Sequence, residues 1–198
     1  MLVSTAEDLA KFVEELKRES DRGLALVAAA LIDDKLGETL RSFFCDESPS
    51  AAKLLDDSNA ALGTFSSRSE ACFALGLIDD YEYSEIALLR KVRNEFAHAR
   101  HGMSFQAPRV QGLCSSLKTN LPQDASHHPI NDPRFRFTNA AVAIVLRLYH
   151  RPDWAALERR QPKSWHPLSP MEWRMIEKME PPSVPVIVVG TSKPSGTE

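Results

Sequence analysis

The strongest case for chemistry in this chain rests on three side chains within six residues: Arg93, Asn94 and His98, in the run Arg-Asn-Glu-Phe-Ala-His. An arginine, a polar residue and, after three more residues, a histidine form an arrangement that could cleave RNA. The imidazole can relay a proton to or from a 2′-hydroxyl or a leaving oxygen. The guanidinium can stabilise charge building on the phosphate. A structural role uses the same residues differently, with Arg93 paired to Asp33 or Asp34 and with Asn94 and His98 bonded to nearby loops. A six-residue pattern alone does not separate the two roles.

The element that must position these groups is a helix. In 88–101, Leu88, Leu89, Val92, Phe96 and Ala99 fall on one arc, Asn94 and His98 lie opposite, and Arg93 stands at the border. On one helix Arg93 and His98 are about 140° apart, so one copy aims them poorly. Two copies facing each other across a two-fold axis could build a composite site.

The remaining elements also read as helices. Thr5 caps a first helix over 6–19, and Ser20-Asp21 caps a second over 22–44. The second is apolar all round from 24 to 32, as expected of a helix in the centre of a bundle. Short helices are expected over 51–57 and 68–75, the latter with Gly76 at its C-terminal cap. Asp79 or Asp80 caps the long helix, 81–100, and Gly102 stops it. Helices over 109–118, 139–150 and 153–160 follow. Strand signals are nearly absent before 184–189. The predicted fold is all-α, a single helical bundle with the second and fifth helices at its centre.

Composition limits what such a bundle can do. The chain has 198 residues, 43% hydrophobic and 26% charged, enough for one packed domain with a small appendage. Its net charge is −3 and its pI near 6.1, which disfavours direct duplex DNA binding. Cys45, Cys72 and Cys114 are too few and scattered for a disulfide framework and fit reduced thiols in a cytoplasmic protein. The longest apolar run, 24–32, is too short to span a bilayer. Eight of the 13 prolines lie between 152 and 194. The expected division is therefore a helical domain over 1–160 and a Pro-rich extension over 161–198. In the extension, a short helix over 169–178, an extended arm over 184–189 and an unstructured tail over 191–198 are expected.

Other candidate groups have ordinary alternatives. Ser66-Ser67-Arg68 could hold an anion at a helix start, or could be a cap followed by a salt bridge. Tyr81 and Tyr83 could stack on bases, but core packing explains them as well. His127-His128 has no zinc-type spacing around it, and no cofactor or metal is expected. Arg134 and Arg136 flank Phe135 and Phe137, as a basic-aromatic patch or as an anchor for the helix that follows. Glycine-rich phosphate loops, dinucleotide fingerprints, nucleophile elbows and basic recognition helices are missing from the sequence.

Four ordered blocks together resemble the mannitol operon repressor family over 20–150. They are Ser20-Asp21-Arg22-Gly23 with Ala30-Leu31-Ile32-Asp33-Asp34-Lys35-Leu36; Phe65-Ser66-Ser67-Arg68 with Ala74-Leu75-Gly76-Leu77-Ile78 and Tyr81; Leu89-Arg90-Lys91-Val92-Arg93-Asn94-Glu95-Phe96-Ala97-His98; and Asp132-Pro133-Arg134. The resemblance implies an all-helical, cytoplasmic bacterial transcriptional regulator that works through other proteins. Its binding or structural network would include Arg22, Asp33, Asp34, Ser67, Arg68, Arg93, His98 and Arg134. The third block is also similar to the HEPN superfamily. That resemblance implies the alternative function, a dimeric, metal-independent endoribonuclease with Arg93, Asn94 and His98 as catalytic residues. RNA is an expected partner only under that alternative.

Overall fold

In the computed structural model, residues 6–45, 48–57, 59–99, 102–120 and 129–162 are described. The predicted cap Thr5, the pair His127-His128, the helix over 169–178, the arm over 184–189 and the tail lie outside them. Eight helices are described: α1 (Ala6–Arg18), α2 (Asp21–Phe43), α3 (Pro49–Leu55), α4 (Phe65–Ala74), α5 (Asp80–His98), α6 (Pro108–Ser115), α7 (Pro133–Leu148) and α8 (Arg151–Leu157). The described residues hold no strand, so the fold is all-α. No described helix is long and apolar enough to cross a membrane.

The bundle is built around α2, which packs against α1, α3, α4, α5, α7 and α8. Its alanines explain this. Ala25, Ala28 and Ala29 are buried beside Leu24, Leu31, Ile32, Leu36 and Leu40, and small side chains let several helices approach one axis. The stretch is not buried all round, however: Val27 and Ala30 face solvent on the open side of α2. Apolar residues alone cannot say which side of such a helix lacks a neighbour. On the closed side, α5 meets α2, α4, α6 and α7. Phe96 of α5, Phe105 of the following loop and Phe137 of α7 are buried as one aromatic cluster, with ring centroids 4.9 and 5.3 Å apart.

Helix starts follow local chemistry more closely than apolar periodicity does. Asp132 caps α7 through Phe135 N, and Pro133 occupies its first turn. The helix therefore begins six residues before the predicted 139, through a stretch whose arginines mask its periodicity. Likewise α4 begins at Phe65 under a Thr64 cap rather than at Arg68, because Thr64 and Ser67 exchange side-chain and backbone hydrogen bonds. Gly76, at φ 71°, takes the left-handed position after α4, and Asp79 caps α5 with Glu82 completing the capping box.

Candidate functional site

The last two turns of α5 present the predicted constellation. Val92 and Phe96 point into the core; Lys91, Arg93 and His98 are exposed, and Asn94 is half-buried. Arg93 donates from Nη1 to Asn94 Oδ1 at 3.1 Å. Among the described residues His98 has no hydrogen-bond partner. The pairing expected of Arg93 with Asp33 or Asp34 does not form. Arg68 takes Asp33 instead, with Nη1 to Oδ1 at 3.0 Å, while its Nε donates to Leu62 O at 2.9 Å. The Arg68 guanidinium lies over Gly37, where an added Cβ would stand in ordinary van der Waals contact with it, 3.5 Å away. Burial pushes the Asp33 carboxyl above its ordinary range; Arg68 and, from farther off, Arg93 pull it back only in part. Asp34 is exposed and has no ion-pair partner among the described residues.

The site's geometry is fixed from the first turn of α2. Arg22 Nη2 donates to Ala97 O at 3.2 Å and Ala99 O at 3.0 Å, satisfying carbonyls that a helix end leaves open and placing a cation at its negative pole. Its neighbour Asp21 accepts Phe105 N at 3.1 Å and is ion-paired with Arg134, which also donates to Glu19 O at 2.6 Å. Two adjacent residues thus tie together the end of α5, the loop carrying Phe105 and the start of α7. Arg22 and Arg134 position the face that bears His98 through these bonds.

Several candidate groups are consumed in the same way. Ser67 is the third residue of α4 and closes the capping box, so its hydroxyl, like the Arg68 guanidinium, is engaged internally. Tyr81 shares a hydrogen bond of 2.9 Å with Thr119 Oγ1, and Tyr83 stacks on Phe73 at 4.4 Å while donating to Glu70 at 2.7 Å. Arg136 donates to the carbonyls of Cys114, Ser115 and Leu117 at the end of α6. Burial pushes the Cys72 and Cys114 thiols up to about 12, which makes them inert.

Sequence reasoning passed over two carboxylates. Glu82 and Glu85 of α5 are both fully buried. Glu82 accepts from Arg147 Nε at 3.0 Å, Arg151 Nη2 at 2.7 Å and Asp79 N at 3.0 Å. Glu85 accepts from Lys118 N at 2.8 Å, Thr119 N at 3.2 Å and Thr119 Oγ1 at 2.6 Å. A signal was present: Glu82 and Glu85 stand seven and four residues before Leu89, on the arc that Val92 and Phe96 continue. The described residues contain no cluster of ligands able to hold a metal ion.

No family model matches the chain, and no curated protein matches it at significance. Among solved structures it is similar to a chain in the X-ray structure of the MtlR–HPr complex from Escherichia coli. The fold is MtlR-like. The match has a TM-score of 0.57 at 19% identity and covers 71% of this chain and 98% of the other. The likeness is one of architecture, and it spans nearly all of the solved chain.

Proposed function

We propose that this chain is a mannitol-repressor-type transcriptional regulator, working in the cytoplasm through contacts with a partner protein rather than by reading DNA. One observation carries the reading: its fold is that of a chain solved in a complex with HPr. Supporting it are the net charge of −3 and the lack of a basic recognition helix. HPr is therefore the first partner to test. Calorimetric titration with purified HPr should show saturable binding at micromolar Kd or tighter, with no shift of operator DNA at physiological salt. Flat heats would overturn the reading, and so would nanomolar operator binding.

A second reading is favoured by the exposure of Arg93 and His98, both free of the structural partners expected for them. In a dimer, one His98 would take the proton of a 2′-hydroxyl as that oxygen bonds to phosphorus and the other would give a proton to the 5′-oxygen as its P–O bond breaks, while Arg93 stabilises the phosphate's developing charge. Asn94 would hold Arg93 in place. RNA cleavage that persists in EDTA and disappears in both Arg93→Ala and His98→Ala supports it. Intact RNA with wild type across a broad substrate panel discards it.

A further inference from the structure

The exposed side of α5 carries two more cations than the constellation of Arg93, Asn94 and His98. Arg90 and Lys91 stand four and three residues before Asn94, which stands four before His98, so all are neighbours on the helix surface. Among the described residues the side chains of Arg90 and Lys91 make no hydrogen bond or ion pair. The whole chain is acidic, at −3, so this concentration is local. On the helices packed against α5, Asp21 is paired with Arg134, Asp33 with Arg68 and Glu38 with Lys35; on α5 itself Glu95 is paired with Arg109. The exposed carboxylates without an ion pair on these helices are Asp34, Glu70 and Asp80. Glu70 accepts the Tyr83 hydroxyl, and Asp80 lies ten residues before Arg90, about 15 Å down the axis.

An aromatic pair continues the same face. Tyr83, two turns before Arg90, stacks on Phe73 of α4 with ring centroids 4.4 Å apart and planes 15° from parallel. The Arg90 charge is felt at the Tyr83 hydroxyl. Phe73 is 36% exposed although large and apolar, so a flat ring is held rigid by its partner and still meets water. From Tyr83 to His98 the face rises about 22 Å. Cations in line with a rigid ring are the components of a site for single-stranded nucleic acid: the cations take phosphates, and a base of any sequence stacks on the ring. An acidic protein would answer the cations and leave the ring unexplained. In a duplex the bases are already stacked on one another, so only an unpaired base reaches Phe73.

We propose that this face is a track for single-stranded nucleic acid, on which a base stacks against Phe73 and the phosphates that follow are held by Arg90 and Lys91, leading the strand to Arg93. The track shares the α5 face with the second reading above and does not depend on cleavage. The test is fluorescence anisotropy on the full chain with labelled strands of about ten nucleotides and one sequence, as DNA and as 2′-O-methyl RNA. Neither carries the free 2′-hydroxyl that cleavage needs, so binding is read by itself. One strand or both should bind, which identifies the sugar, and log K should fall against log salt with a slope of about −2, the value for about three phosphates. The double variant Arg90→Ala, Lys91→Ala should bring the slope to about −0.7 and weaken binding about tenfold at 0.15 M salt. Phe73→Ala should weaken it about tenfold at unchanged slope, and Phe73→Trp should restore it, which separates a lost stack from a damaged fold. Lys53→Ala, exposed on α3, is the silent control. No binding of either strand, or binding that the double variant and Phe73→Ala both leave within twofold, overturns the track. So does a duplex of the same sequence bound as tightly as the single strand. Poly-glutamate bound as tightly as the strands, and lost in the double variant, assigns the cations to an acidic protein and overturns it too. Strands bound as expected, with unmodified RNA left intact, keep the track and discard only the nuclease reading.

Discussion

The two halves of α5 treat polar side chains in opposite ways. In the N-terminal half, Glu82 and Glu85 are fully buried and each receives three hydrogen bonds. In the C-terminal half, Arg93, Asn94 and His98 have one hydrogen bond among them in the described residues, from Arg93 to Asn94. Burial is the criterion that separates the halves. A carboxylate removed from water must find donors or lose its charge, so the arginines and amides around Glu82 and Glu85 are required by folding. An exposed arginine and histidine are under no such requirement. Polar groups that the fold does not consume are the ones available to a partner, and the same comparison separates Arg68, spent on Asp33, from Arg93.

The comparison is most exposed to failure at Glu82. Replacing it with alanine leaves the largely buried Arg151 without a carboxylate, while Arg147 keeps Asp79, and an uncompensated charge of this kind costs about 3–5 kcal/mol. Thermal unfolding should show a Tm lowered by roughly 10 °C. A shift of a degree or two would mean that the buried carboxylate is not what holds α5 to α7 and α8. Arg22→Ala should cost less, about 1 kcal/mol, because the carbonyls of Ala97 and Ala99 can turn to water. Amide exchange should quicken in the last turn of α5 and stay unchanged around Glu82; uniform quickening would deny Arg22 a local role.

Asp33 sharpens the comparison from across α2. Its carboxyl is held above the ordinary 3.8 by burial, against the opposing pull of Arg68 and then Arg93. Between the unfolded value and the higher folded one, the native chain holds a proton that the unfolded chain has released. Asp33 therefore lowers stability as pH rises through that window, and its penalty is fully present above it. Asp33→Asn should flatten this part of the stability–pH curve. Arg93→Ala should move the Asp33 titration, followed by carboxyl NMR, further upward; no movement would place Arg93 out of reach of the α2 acids. The smallest effect belongs to stability in Arg93→Ala and His98→Ala, expected within about 0.5 kcal/mol of wild type. Larger losses would show that the fold does consume these groups.

Much of this contrast could be read in the sequence, and the exceptions have physical causes. Leu89, Val92 and Phe96 announced the core face of α5 by spacing, and Asp79 and Gly76 announced boundaries by the backbone geometry that they favour. Glu82 and Glu85 share that face but were invisible to an apolar pattern, because their burial depends on Arg147, Arg151 and Thr119, distant in sequence. Which arginine reaches Asp33 was undecidable for the same reason: Arg68 and Arg93 both fit by charge, and the fold brings Arg68, also bonded to Leu62 O, to the carboxylate. Val27 and Ala30 erred in the other direction, since apolar composition does not reveal where a bundle leaves one helix uncovered.

We propose above that this helical chain works by capturing a partner protein. The most direct measurement is a calorimetric titration of purified HPr into the full chain at about 0.15 M salt, where surface charge is screened beyond about 8 Å. A saturable isotherm with a micromolar or tighter Kd is the expected result. Heats no larger than those of dilution, at concentrations of about 100 μM where a micromolar complex would be saturated, would contradict it.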